Sequence, residues 1–274
     1  MNPEYQEFKP SGTNRRTFLV RNVLGMGAVA GSAFLARTRP ALAQNQNGCV
    51  PSGNTPKKCC FLKGTKIRAA EGERVVEDLM IGDLLPTEFG GMRPIQWVGR
   101  YHYKKSDPNK PWLKAARPVR IVRSALADNV PRADLFVTQS HALFVDGALV
   151  TAGRLINGTT ITLYAAEEFA ELEFFHIKLE THDIVYAEGA ACETLLTVDE
   201  TANNFADYLR KYGPANSGDQ PCVPIAPGGG RSEIKSRFRS AISPWFDRRE
   251  KIDVIRDRLE ERGLALSRLQ EPVA

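Results

Sequence analysis

No stretch of this 274-residue sequence offers the roughly 20 consecutive apolar residues that a membrane-spanning helix needs. The weakly apolar run "NVLGMGAVAGSAFLA", Asn22 to Ala36, is 15 residues long and carries three glycines. A zinc-finger frame is missing as well. The five cysteines, Cys49, Cys59, Cys60, Cys192 and Cys222, supply no Cys-x-x-Cys pair. No metal and no other cofactor is therefore expected. Their odd number leaves at least one thiol unpaired or paired between chains. Helical periodicity is scarce between Cys60 and Val198, which argues against a helical bundle there.

The N-terminus has the features of a targeting segment. Arg15 and Arg16 are followed by Phe18 and Leu19, then by the Gly/Ala-rich run and by Ala41-Leu42-Ala43. This order resembles a twin-arginine export signal of a bacterial type, with cleavage after Ala43. It implies a periplasmic or secreted protein with no stable membrane span once the signal is removed. Residues 1–43 hold six Lys/Arg against two Asp/Glu, so a net charge of +5 falls to about +1 without them. What remains is no electrostatic footprint for nucleic acid.

Four regions follow: a signal at 1–43, a polar linker at 44–59, a β domain at 60–200 and a helical, charged tail at 201–274. Within the β domain, short runs such as "GTKIRAA", "RPIQWVGR", "RPVRIVR", "TTITLY", "EFFHIKLE" and "DIVYAEG" are rich in β-branched and aromatic residues. Asp146-Gly147 and Asn157-Gly158 carry the chemistry of tight hairpin turns. Asp83 in "IGDLL" reads as a turn carboxylate that accepts backbone N–H groups. The fold class is all-β, with about 140 residues, enough to close one core. Beyond it, "DETANNFADYLRKYG" predicts a short helix that stops at Gly213. Ser232 is a candidate N-cap with Ile234, Phe238 and Ile242 on one face. Ser243-Pro244 can open a further helix with an Ile252, Ile255, Leu259 stripe and Gly263 as its stop.

Cys60, taken alone, reads as a buried small hydrophobe, half of a disulfide, a metal ligand or a nucleophile. A Cys59–Cys60 bridge would close a strained ring. His141 alone reads as a satisfied core histidine, and His176 in "EFFHIKL" as a strand residue. The ordered set "CFLKGTKI", "VEDLMIGDLL", "TQSH" and "ETHDIVYAEG" changes that reading. Together these motifs resemble the Hint domain shared by Hedgehog autoprocessing proteins and inteins, in its bacterial Hint-like branch. The resemblance runs from Cys60 to about Val198.

It implies a flattened β-horseshoe with a C-terminal helical tail, and chemistry on the Cys59–Cys60 peptide bond. Cys60 would attack the Cys59 carbonyl in an N–S acyl shift, giving a thioester. Thr138 and His141 match the family's T-x-x-H motif, and His141 would protonate the departing amide nitrogen. His182 is the fourth candidate catalytic residue. Asp107 lies near where Hedgehog domains place an acid. The substrate would be the chain's own upstream peptide, and the thioester would fall to water or a small nucleophile. Inteins end in a His-Asn pair, whereas "AEGAACETLLTV" places Glu193 and Thr194 near those positions, so full splicing is not expected. An active domain would sever its own signal before export, which implies slow, triggered or lost cleavage. The alternative is a non-catalytic exported β module whose tail binds a partner. A thiol-dependent enzyme acting on other chains is a third reading.

Overall fold

A computed structural model describes residues 59–105, 107–198, 200–214, 220–223 and 250–270. All belong to one compact unit, Gln44–Ala274. The expected signal, most of the linker and the Ser232 and Ser243-Pro244 helix starts lie outside the described residues.

The β domain is built from two six-stranded antiparallel sheets and a separate hairpin. The first sheet has the order β11-β7-β8-β1-β12-β6. Its strands are β11 (Ile161–Leu163), β7 (Val119–Ile121), β8 (Leu135–Val137), β1 (Phe61–Leu62), β12 (Glu171–Lys178) and β6 (Trp97–Lys104). The second has the order β10-β9-β14-β13-β2-β3, from Ala148–Thr151, Ala142–Val145, Ala190–Glu193, Ile184–Ala187, Lys66–Ala69 and Gly72–Val75. The hairpin pairs β4 (Leu84–Thr87) with β5 (Gly91–Pro94).

Alternation of side chains assigns each face of the first sheet its own core. Phe61, Val119, Ile121, Val137 and Ile177 join Ile67, Leu143, Val150 and Val185 of the second sheet in one buried cluster. On the opposite parity, Cys60 and Leu62 join Trp97, Tyr101, Leu172 and Phe174 in another. This period-2 split is what a strand buried on both faces requires.

Turn chemistry largely follows expectation. Asp146 and Gly147 both take positive φ, 51° and 73°, so β9 returns directly as β10 with Ala148 opposite Val145. Asp83 Oδ2 accepts the Met80 N–H at 2.8 Å and receives Arg74 Nη1 at 2.7 Å. The Asn157-Gly158 expectation is corrected. No strand precedes it to form a hairpin: residues Ala152–Arg154 make a 3-10 turn, and β11 pairs with β7. Asn157 works as a local cap: its Oδ1 accepts the N–H groups of Thr159, Thr160 and Ile161.

Helix α1 (Phe205–Tyr212) stops at Gly213, φ 76°, as expected. Tyr208 packs edge-on to Trp97 at 5.4 Å, and Tyr212 Oη donates to the Gln96 carbonyl at 2.6 Å. Helix α2 runs Lys251–Gln270, so Gly263 is not its stop. A Cβ there would meet Thr159 Oγ1 at 2.6 Å. Glycine at 263 serves the close approach of α2 to the 157–160 turn. Ile252, Ile255 and Leu259 are buried in the main core, each worth roughly 1.5–3 kcal/mol. Arg258 pairs with Asp146, and Asn157 Nδ2 donates to the Leu259 carbonyl. The charged face is solvated, but the apolar stripe makes α2 part of the domain.

Candidate functional site

Three of the four candidate residues lie where the chain passes between sheets. Cys60 leads into β1; the turn Thr138–His141 links β8 of the first sheet to β9 of the second; His182 lies between β12 and β13. Phe61 pairs with both Val137 and Phe175, which draws Cys60 alongside Thr138.

The contact at that point is reciprocal. The Cys60 N–H, the amide of the Cys59–Cys60 bond, donates to Thr138 Oγ1 at 2.8 Å. The Thr138 N–H donates back to the Cys60 carbonyl at 2.9 Å. The Thr138 carbonyl then accepts the His141 N–H at 3.1 Å, closing the turn. Gly153 N–H binds the Gln139 carbonyl at 2.8 Å, and a Cβ at 153 would come within 3.0 Å of that oxygen.

His141 is fully buried, its ring 4.4 Å from that of Phe61 and 5.2 Å from that of His176. Burial pushes its pKa down to about 3, opposed by the Cys59 backbone. The imidazole is thus neutral at neutral pH, and the backbone it senses is that of the residue ahead of Cys60. His176 is buried too, and desolvation followed by the charges of His141 and His182 holds it well below the usual histidine range. Neither ring makes a hydrogen bond of good geometry.

Cys60 is 1% exposed and sits in the apolar cluster with Leu62 and Trp97. It is not bridged to Cys59. Cys59 is held in a disulfide, whereas Cys60, Cys192 and Cys222 are thiols. Cys192 is buried on β14, and desolvation drives its thiol pKa far up. Asp107 accepts the Asn109 N–H at 3.0 Å and lies 3.6 Å from Lys110, a turn carboxylate.

His182 keeps different company. Its Nδ1 accepts the Cys222 N–H at 3.1 Å, and its Nε2 lies 3.7 Å from Glu193 Oε2. Its charge contributes, after desolvation and the charge of His141, to holding His176 low. The arrangement therefore brings Cys60, Thr138 and His141 together, adds His176, and sets His182 with Glu193 and Cys222. Sequence reading had little access to this second grouping, because Cys222 is 40 residues from His182 with no motif between them. No group of three or more residues suited to a metal occurs among the described residues, and no helix there is long and apolar enough to cross a membrane.

Among solved structures the chain is similar to a bacterial intein-like domain from Clostridium thermocellum. Identity is 12%, coverage 50% of this chain and 99% of that one, and the TM-score 0.36. The gp41-1 intein gives 13% identity, 49% and 98% coverage and a TM-score of 0.32. The MchDnaB-1 intein gives 13%, 49% and 99%, and 0.32. Scores this low carry no argument of their own. No curated protein matches the sequence. The match that counts is to a family model, the Hint domain, over residues 59–199, a little more than half of the chain. The chain belongs to the Hint domain family.

Proposed function

We propose that the domain is an autoprocessing unit that cleaves its own Cys59–Cys60 bond, slowly or on a trigger, after export directed by residues 1–43. The observation that carries this reading is the hydroxyl of Thr138 on the amide N–H of that bond, with His141 beside the Cys59 backbone. In the proposed step the Cys60 Sγ adds to the Cys59 carbonyl carbon. The thiol proton passes through His141 to the amide nitrogen, and the C–N bond breaks to leave a thioester and the free Cys60 amine. A neutral imidazole suits such a transfer, since it accepts a proton before giving it up. Water or a small nucleophile then releases the upstream peptide.

One observation favours a second reading, a Hint-fold module without cleavage. Cys60 is buried in an apolar cluster, where a thiolate is disfavoured. The test starts from the chain without residues 1–43 and with a bulky N-terminal tag, incubated with hydroxylamine and, separately, with dithiothreitol. Hydroxylamine attacks a thioester without reducing the Cys59 disulfide, so it isolates the acyl chemistry. Release of the tag with Cys60 as the new N-terminus, abolished by Cys60→Ala, is the expected result. An intact chain after long incubation with both reagents leaves the module reading.

A further inference from the structure

Cys222, His182 and Glu193 stand in a row away from the scissile bond. The β13–β14 register sets Glu193 opposite Ile184, which folds its carboxylate back towards His182. Both side chains are 1% exposed. Glu193 Oε1 is pinned by the Ala142 N–H at 2.7 Å, which leaves Oε2 facing His182 Nε2 at 3.7 Å. The other ring nitrogen, Nδ1, accepts the Cys222 N–H at 3.1 Å and lies 3.2 Å from Cys222 Sγ.

A ring nitrogen that accepts an N–H carries no proton itself. The tautomer follows: the Nδ1 lone pair faces Cys222, taking its N–H with the thiol alongside, and Nε2–H faces the carboxylate. This is the order nucleophile, base, orienting acid. Cys222 is a half-buried thiol, so a reagent can reach it. Cys222 packs against the buried cluster of Ala142, Leu149 and Ile184. The half-buried Phe144 packs on the same cluster, and the exposed Phe89 stands edge-on to it at 5.7 Å.

We propose that Cys222, with His182 as its base and Glu193 as the orienting carboxylate, is a second thiol nucleophile that takes uncharged, apolar acyl groups from activated esters and thioesters. The apolar wall selects the chain, and the carboxylates of Asp183 and Glu193 repel an anionic one. Burial and those same carboxylates push the thiol up to about 11, with Arg93 3.6 Å from Asp183 as the nearby cation. Disulfide exchange and alkylation depend on preformed thiolate, so they are slow at neutral pH. Addition to a carbonyl with simultaneous proton transfer to Nδ1 escapes that limit.

In that step the Sγ–C bond forms, the bond to the ester oxygen or thioester sulfur breaks, and the leaving group departs with the electron pair. The thiol proton rests on Nδ1, and Glu193 holds the resulting imidazolium. Once Nδ1 is protonated it no longer accepts the Cys222 N–H, which is freed to donate to the oxygen of the tetrahedral adduct. His182 then yields its proton to the leaving group. Water attacks the acyl-cysteine, passing a proton to Nδ1, and the carboxylic acid leaves as the thiol is restored.

The experiment uses the full chain carrying Cys60→Ala, so that failure of the first centre cannot affect the result, and p-nitrophenyl butyrate as probe. One butyryl group is expected on the peptide containing Cys222. It is absent from Cys222→Ala and forms ~10²-fold more slowly in His182→Gln. Loss of a buried imidazole threatens the fold too, so the protein with His182 intact supplies a second readout. Butyrylation is expected to change little between about pH 7 and about pH 10, while iodoacetamide alkylation of the same thiol rises roughly tenfold per unit, following its thiolate. No butyryl adduct, an undiminished rate in folded His182→Gln, or parallel pH profiles for the two reagents each overturn the proposal.

Discussion

The Thr138 hydroxyl serves both stability and the proposed chemistry, and substitutions separate the two. Thr138→Ala leaves the buried Cys60 N–H without its acceptor, an expected cost of ~1–3 kcal/mol. Thr138→Ser keeps the oxygen and is expected to recover most of that loss in urea unfolding. If the tagged protein releases its tag, Thr138→Ala slows release and Thr138→Ser restores it; equal rates in both would remove the hydroxyl from the mechanism. His141→Ala is expected to stop release at least ~10²-fold below the parent while circular dichroism remains that of a β protein. Unaltered release would exclude the imidazole as proton carrier.

At the scale of elements, α2 is held by shape more than by charge. Gly263 lets the helix lie against the 157–160 turn, and Leu259 fills the core beneath. Leu259→Ala is expected to cost about 2–5 kcal/mol, as a buried leucine truncation does. Gly263→Leu is expected to be destabilising as well, although glycine is intrinsically a poor helix former, because its side chain collides with Thr159 and Thr160. An increase in melting temperature for Gly263→Leu would show that α2 is not seated there. Arg258→Ala, by contrast, removes a half-exposed ion pair with Asp146 and is expected to change stability by less than about 1 kcal/mol.

Across the whole molecule, buried neutral histidines set the acid limit. The folded pKa values of His141 and His176 are depressed, so below the unfolded value of about 6.5 the unfolded chain binds more protons. Stability is therefore highest above that value and falls with decreasing pH. For His141 the loss continues down to about pH 3. Each such histidine contributes about 1.4 kcal/mol per pH unit inside its window. A urea midpoint clearly lower at pH 5 than at pH 7 is expected, with the difference reduced in His176→Gln provided that variant folds. A flat pH profile would mean that these rings carry protons in the native state.

Local chemistry was legible in the sequence wherever neighbours along the chain settle the structure. Asp146-Gly147 adopts the two positive φ values its dipeptide favours, Gly213 ends α1, Asp83 binds the N–H three residues back, and the ordered motifs point to the Hint family. Asn157-Gly158 and Gly263 misled for different reasons. Asn157 caps its own turn while β11 finds its partner in the distant β7, and a glycine needed for close approach, as Gly263 is to Thr159, looks the same in sequence as a glycine that ends a helix. The grouping of site residues is tertiary in the same way. Only the passage of the chain between two sheets brings Thr138 to Cys60, and only a distant segment seats Cys222 on His182. Backbone preference acts over a few residues, whereas burial, desolvation and proton-transfer geometry depend on what arrives from elsewhere in the chain.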